Sequence, residues 1–205
     1  MAKRIISTLF LVNALMLLVA APSFSAPAAE GMTALMAKLL IQPLDRVALE
    51  DFELKDLDGK LVKMSSFRGK VVLLNLWATW CPYCGKERPH LEALYQKYKS
   101  RGFVVVAISI DAEGAAAVRP YVRKHKLTFS HLLDPESEVA RGYFGLRGTP
   151  TNYLVDRAGN AVGGAIGYRD WSRPEAHRLI EFLLDEKAPS PGTQKKEAKR
   201  DGKAG

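Results

Sequence analysis
The chain holds two cysteines, Cys81 and Cys84, separated by Pro82 and Tyr83. At that spacing the sulfurs bond when oxidised and stay close when reduced, as a reversible dithiol requires. An apolar, β-forming run, Val71-Val72-Leu73-Leu74-Asn75-Leu76, precedes the pair, and residues 82–99 repeat apolar and charged side chains at helical spacing. The pair therefore stands where a buried strand ends and a helix begins. There the helix dipole and unpaired backbone N–H groups favour thiolate. Two other uses have weaker physical grounds. A structural disulfide closing so short a loop constrains little of the unfolded chain. Structural zinc needs four ligands, and the sequence has no second cysteine pair and no closely spaced histidine pair. His90, His125, His131 and His177 are scattered, so no metal site and no cofactor are expected.

The elements that must hold this pair follow from the rest of the chain. Alternating residues around Asp56-Leu57-Asp58-Gly59-Lys60 predict a β-hairpin before the central strand. After the active-site helix, the β-branched run 103–110 predicts a second strand buried on both faces. Residues 115–126 read as a helix with Pro120 in its first turn, 128–133 as a short strand, and 135–143 as a short helix capped by Asp134. Residues 151–156 and 161–166 form a second hairpin, and Ser172-Arg173-Pro174-Glu175 opens a last helix with Ser172 as its cap. This order predicts an α/β domain, a central mixed sheet with helices on both faces.

Length suits one domain with appendages, and 47% hydrophobic residues supply a core. The net charge of +8 is concentrated outside that domain: Lys3 and Arg4 at the N-terminus and the lysine-rich stretch from Ala188 onward leave +3 for the rest. No basic face is visible, so nucleic-acid binding is not expected. Residues 1–25 read as an export signal, with Lys3-Arg4 before an apolar stretch and small residues after it; an uncleaved membrane anchor is the alternative. Export places the cysteines in an oxidising compartment. Residues 26–43 read as a connector with a short amphipathic piece, residues 44–187 as the folded domain, and residues 188–205 as a disordered basic tail.

The stretch Asn75-Leu76-Trp77-Ala78-Thr79-Trp80-Cys81, with Cys84, Glu87, Pro89 and the later Arg147-Gly148-Thr149-Pro150-Thr151, resembles the thioredoxin fold. More narrowly, it resembles the exported TlpA/ResA/DsbE-like thiol–disulfide oxidoreductases. The resemblance covers roughly residues 44–186, including a central insertion at 111–145. It implies that Cys81 is the exposed nucleophile and Cys84 the buried resolving thiol. Pro150 would be a cis-proline facing the pair, with Thr149 offering backbone groups to an incoming peptide and Trp80 forming a rim; Trp77 reads as core. Glu87 would be the buried acid of the group. Its spacing agrees, since three residues after Cys84 is one turn along the helix, and a buried carboxylate there would have a raised pKa and could move the resolving thiol's proton. Asn75 stands where thioredoxin has a buried Asp, so the acid role falls to Glu87. Pro89 would kink the helix without ending it.

One feature departs from the group, which places proline directly before the second cysteine. Here Pro82-Tyr83 is the glutaredoxin order, and this dipeptide tunes the potential. The implied partners are client proteins with disulfides, by resemblance the CxxCH segment of apocytochrome c, together with a membrane thiol–disulfide electron donor; the chain is expected to be a monomer. A dithiol oxidant of exported proteins and a thiol-based copper-handling protein are the competing uses of the same residues.

Overall fold
A computed structural model describes residues 31–186. The expected export signal and basic tail lie outside the described residues. The centre of the fold is β4 (Val71–Trp77), every residue of which is buried. It runs parallel to β5 (Phe103–Ser109) and antiparallel to β7 (Thr151–Val155), in the registers Leu73↔Val105 and Asn75↔Asn152. The sheet continues on one side through β8 (Asn160–Ile166) to β1 (Gln42–Ala48). On the other side it passes through β6 (Ser130–Leu133) to the hairpin β2 (Glu53–Asp56) and β3 (Leu61–Lys63). The order is β1-β8-β7-β4-β5-β6-β2-β3.

The pleat of β4 divides the core in two. Val71, Leu73 and Trp77 face a layer built from α1 (Met32–Lys38), α2 (Pro82–Tyr98), α3 (Ala115–Lys124) and α4 (Pro174–Asp185), through residues such as Met36, Leu91, Val118 and Leu179. Val72, Leu74 and Leu76 face the other way, against Phe52, Met64, Phe67, Phe144 and Tyr153. The sheet is mixed and flanked by helices, as expected, but all four α-helices bury residues in the first of these clusters. For α2 and α3 the cause is topological: β4, β5 and β6 are successive parallel strands stepping in one direction, so right-handed crossovers place both on the same face. The other face is covered by loop residues, a 3-10 turn at Met64–Phe67 and a π-helical turn at Glu138–Tyr143.

Several local expectations are corrected. Part of the segment read as a connector is core: Leu35, Met36, Leu39 and Ile41 are buried. The packing of α1 on β8 needs Gly163, where a Cβ would lie 2.9 Å from Ile41 Cγ2 and 3.0 Å from Met36 Cε. Pro120 sits inside α3, past its first turn, since the helix starts at Ala115. Asp134 does accept backbone N–H groups, from Ala140 (2.7 Å) and Val139 (3.4 Å), but the segment it holds is the π-helical turn. Ser172 bonds Asp170 Oδ1 (2.5 Å) and does not cap α4, which begins with Pro174 after Arg173. Helix α2 continues through Pro89.

Candidate active site
Cys81 is the N-cap of α2 and Pro82 its first residue. Proline suits that position, where its missing N–H would have had no helical partner. Cys81 and Cys84 form a disulfide, with Cα atoms 5.3 Å apart. The Cys84 N–H donates to Cys81 Sγ at 3.2 Å, a contact that favours thiolate when the bond is reduced. Cys84 is fully buried and Cys81 is 5% exposed, so the sulfur expected to be exposed meets solvent only through a narrow window. Trp80 and Tyr83 stand beside it, 66% and 58% exposed, and Lys86 Nζ lies 5.0 Å over the Tyr83 ring. Trp77 is core.

Opposite the disulfide, the Thr149–Pro150 peptide bond is cis, and Thr149 O lies 3.5 Å from Cys81 Sγ. An open groove of about 720 Å³ begins next to it, at Thr151 and Ile166, and runs between Tyr153, Leu40 and Leu44. The turn entering α2 is held from β5. Buried Asp111 accepts from the Thr79 N–H (3.0 and 3.1 Å), the Thr79 hydroxyl (2.5 Å) and the Ser109 hydroxyl (2.6 Å).

Behind the disulfide lies a buried polar layer. Glu87 is fully buried; its carboxylate accepts from the Arg169 N–H (2.7 Å), Asn152 Nδ2 (3.2 Å) and Asn75 Nδ2 (3.2 Å). Burial pushes its pKa from an ordinary 4.5 up to about 7, against the opposing pull of the Arg169 N–H and the Arg88 charge. Arg88 is fully buried too. It donates from Nη2 to Asn75 Oδ1 and from Nε to the Cys84 carbonyl (3.4 Å), with its guanidinium 4.4 Å from the Trp77 ring centre. Burial lowers its pKa to about 10, so it stays charged at neutral pH. His131, packed between Trp77 and Phe129, is held neutral by burial and by Arg88, its pKa lowered to about 3.

The structure thus brings Cys81, Cys84, Glu87, Trp80, Pro82, Tyr83, Thr149 and Pro150 into one region. The sequence reading missed Arg88, Asp111, Asn152 and Arg169. For Arg88 a signal existed: it falls with Cys84, Glu87, Leu91, Leu94 and Tyr98 on the one buried stripe of α2.

The AhpC/TSA family matches residues 46–162, more than half of the chain. The chain belongs to that family. Its relatives include the thiol-disulfide oxidoreductase ResA of Bacillus thuringiensis subsp. konkukian, 38% identical over 112 residues, which are 55% of this chain and 64% of ResA. The match therefore spans less than two thirds of that relative. Among solved structures, a protein of Chlorobium tepidum assigned as thiol:disulfide interchange protein DsbE is 31% identical, with a TM-score of 0.63. The alignment covers 69% of this chain and 99% of that one. A thioredoxin-family thiol:disulfide interchange protein of Chlorobium tepidum TLS follows at 27% identity and a TM-score of 0.60, covering 69% and 98%. The fold is thioredoxin-like.

Proposed function
We propose that this chain is an exported thiol–disulfide oxidoreductase that reduces disulfides of client proteins. The observation that carries the proposal is the Cys81–Cys84 disulfide at the start of α2, set against the Thr149 carbonyl with the buried Glu87 carboxyl one turn behind. The relatives named ResA and DsbE support it. In the reduced protein Cys81 thiolate, favoured by the Cys84 N–H and the helix N-terminus, attacks one sulfur of a client disulfide. The client segment lies extended along Thr149-Pro150 and the groove beyond, with Trp80 and Tyr83 at its edge. The client's other sulfur leaves as thiolate and a mixed disulfide forms. Cys84 gives its proton to Glu87 and attacks Cys81 Sγ; the Cys81–Cys84 bond forms and the client's second sulfur leaves. The client gains two electrons and the dithiol loses two.

An apocytochrome c CxxCH segment is the client class we infer, and a membrane thiol–disulfide donor restores the dithiol. Localisation outside the cytoplasm rests on the leader pattern of residues 1–25; among the described residues no helix is long and apolar enough to cross a membrane. We take the chain to act as a monomer.

A dithiol oxidant is the second reading, favoured by the Cys84 N–H on Cys81 Sγ, which stabilises the reduced form. Equilibration with a thiol redox buffer, with free thiols counted by mass spectrometry, separates the two. A reduction potential of about −270 mV, that of thioredoxin, supports the reductant. One of about −120 mV, that of DsbA, overturns it. A Cys84→Ser variant is expected to accumulate mixed disulfides at Cys81, and one that traps none counts against either exchange reaction.

A further inference from the structure
Among the described residues, Arg88 is the one lysine or arginine whose side chain is buried. A permanent charge removed from water needs an opposite charge close by. Its neighbours sharpen the requirement. From α2 it faces Glu87 and the Cys84 carbonyl; from β4, Trp77 and Asn75; from α3, Tyr121; from β6, His131. His131 is neutral, and burial raises the Tyr121 pKa, so the phenol keeps its proton. Asn75 and Asn152 carry no charge. Glu87 is faced in addition by Tyr168 and by Arg169, whose N–H it accepts and whose half-buried guanidinium attracts it while bonding the Leu40 and Tyr168 carbonyls. His90 and Asp170 pair with each other at 3.3 Å. Two residues beside Arg88 can therefore supply a buried negative charge: Glu87 as carboxylate, or Cys84, whose carbonyl Arg88 Nε holds, as thiolate.

We propose that Arg88 is a positioning residue for the thiol chemistry: its buried guanidinium balances one negative charge behind the disulfide, and that charge passes between Glu87 and Cys84 as the resolving thiol loses its proton. The inference rests on the dithiol reading above. Its physical content is charge conservation in a low-dielectric layer. With Glu87 ionised, a second anion at Cys84 would leave two buried negative charges against one buried cation. When the Cys84 proton moves to Glu87, one anion and one cation remain, and no net charge is created in the interior. The guanidinium need not move, because it is fixed at Nε by the Cys84 carbonyl and at Nη2 by Asn75.

The test is a titration of Cys84 as sole thiol, in full-length Cys81→Ser protein, followed by ultraviolet thiolate absorbance. Adding Arg88→Met is expected to weaken Cys84 as an acid at least tenfold, about one pKa unit or more. Adding Glu87→Gln is expected to strengthen it by a similar factor, because the cation then has no competing anion. Arg88→Lys, which keeps the charge and loses the fork, is expected to stay within about threefold of the parent. A Cys84 pKa unmoved by Arg88→Met, or raised by Glu87→Gln, overturns the inference. If Arg88→Met does not fold, Arg88→Gln takes its place, with the same weakening of Cys84 expected and an unmoved Cys84 pKa overturning the inference. The two levels fail separately: absence of mixed disulfides in Cys84→Ser with these shifts intact refutes the oxidoreductase reading, whereas trapping without the shifts refutes the role of Arg88.

Discussion

The Glu87 carboxyl has a consequence for folding that can be measured without any client. In the unfolded chain it titrates at its ordinary value of 4.5, and in the fold at about 7. Below 4.5 both states are protonated, and the full stability is present. As pH rises from 4.5 to about 7 the unfolded state loses its proton first, and folding is progressively penalised; above the folded value the penalty is complete. A shift of about 2.5 units at about 1.4 kcal/mol per unit gives about 3 kcal/mol. Because the side chain is fully buried, solvent screening removes little of this. Glu87→Gln keeps the shape and removes the titration. The variant keeps one of the two oxygens that accept from the Arg169 N–H and the two asparagines and turns the other into a donor, and that change is the same at every pH once the wild-type contacts are referred to the protonated acid. The quantity to follow is therefore the difference in unfolding free energy, variant minus wild type, from urea melts of the oxidised proteins. It is expected to rise by about 3 kcal/mol between about pH 4 and about pH 8. A difference that stays flat across that range would mean that Glu87 titrates like a solvated carboxylate, and the proton-transfer role would lose its basis.

His131 predicts the opposite limb. Its folded pKa of about 3 lies below its ordinary 6.5, so its contribution is intact above 6.5 and is lost as pH falls toward 3. His131→Leu is expected to flatten the acid side of the stability profile by about 3 kcal/mol between about pH 7 and about pH 4, measured by the same urea melts; an unchanged acid limb would contradict it. Asp111→Asn turns one acceptor into a donor facing the Thr79 and Ser109 donors. It is expected to cost about 2 kcal/mol in urea and to slow reaction of Cys81 with a small aromatic disulfide, since the turn entering α2 loses its anchor. Loss of stability with an unaltered Cys81 rate would show that Asp111 supports the fold alone.

How far the sequence was readable depended on what each segment pairs with. The strand, cysteine pair and helix from Val71 to Tyr98 were legible, because a fully buried strand and an amphipathic helix write their own period. The hairpins were legible from their turns. Strand β1 was not: it lies on the sheet edge, is almost wholly exposed and carries a bulge between Pro43 and Val47, so no alternation marks it. The common face of α2 and α3 was hidden because it follows from the order of β4, β5 and β6, which no local pattern encodes. At the site, the cysteines, Glu87 and the Thr149-Pro150 bond came from motif and resemblance. Arg88 and Asp111 escaped because a charged residue reads as solvated until its tertiary partners are known.

Those partners follow from one registration in the sheet. Asn75 lies between Leu73 and Trp77 on the face of β4 that meets α2, so a polar side chain points into an otherwise apolar layer. Antiparallel pairing sets Asn152 of β7 directly opposite it, and the two amides bond at 2.7 Å. Their other hydrogen bonds sort by charge: Asn152 Nδ2 and the second N–H of Asn75 Nδ2 donate to Glu87, and Asn75 Oδ1 accepts from Arg88. Amides at both positions hold the carboxylate and the guanidinium without adding charge to the layer. A carboxylate at position 75 would set a second anion beside Glu87 against the same single buried cation, and burial would force one of the two to keep its proton. The neutral amide therefore leaves the titration at Glu87, one helical turn from Cys84, where the resolving thiol must give up its proton.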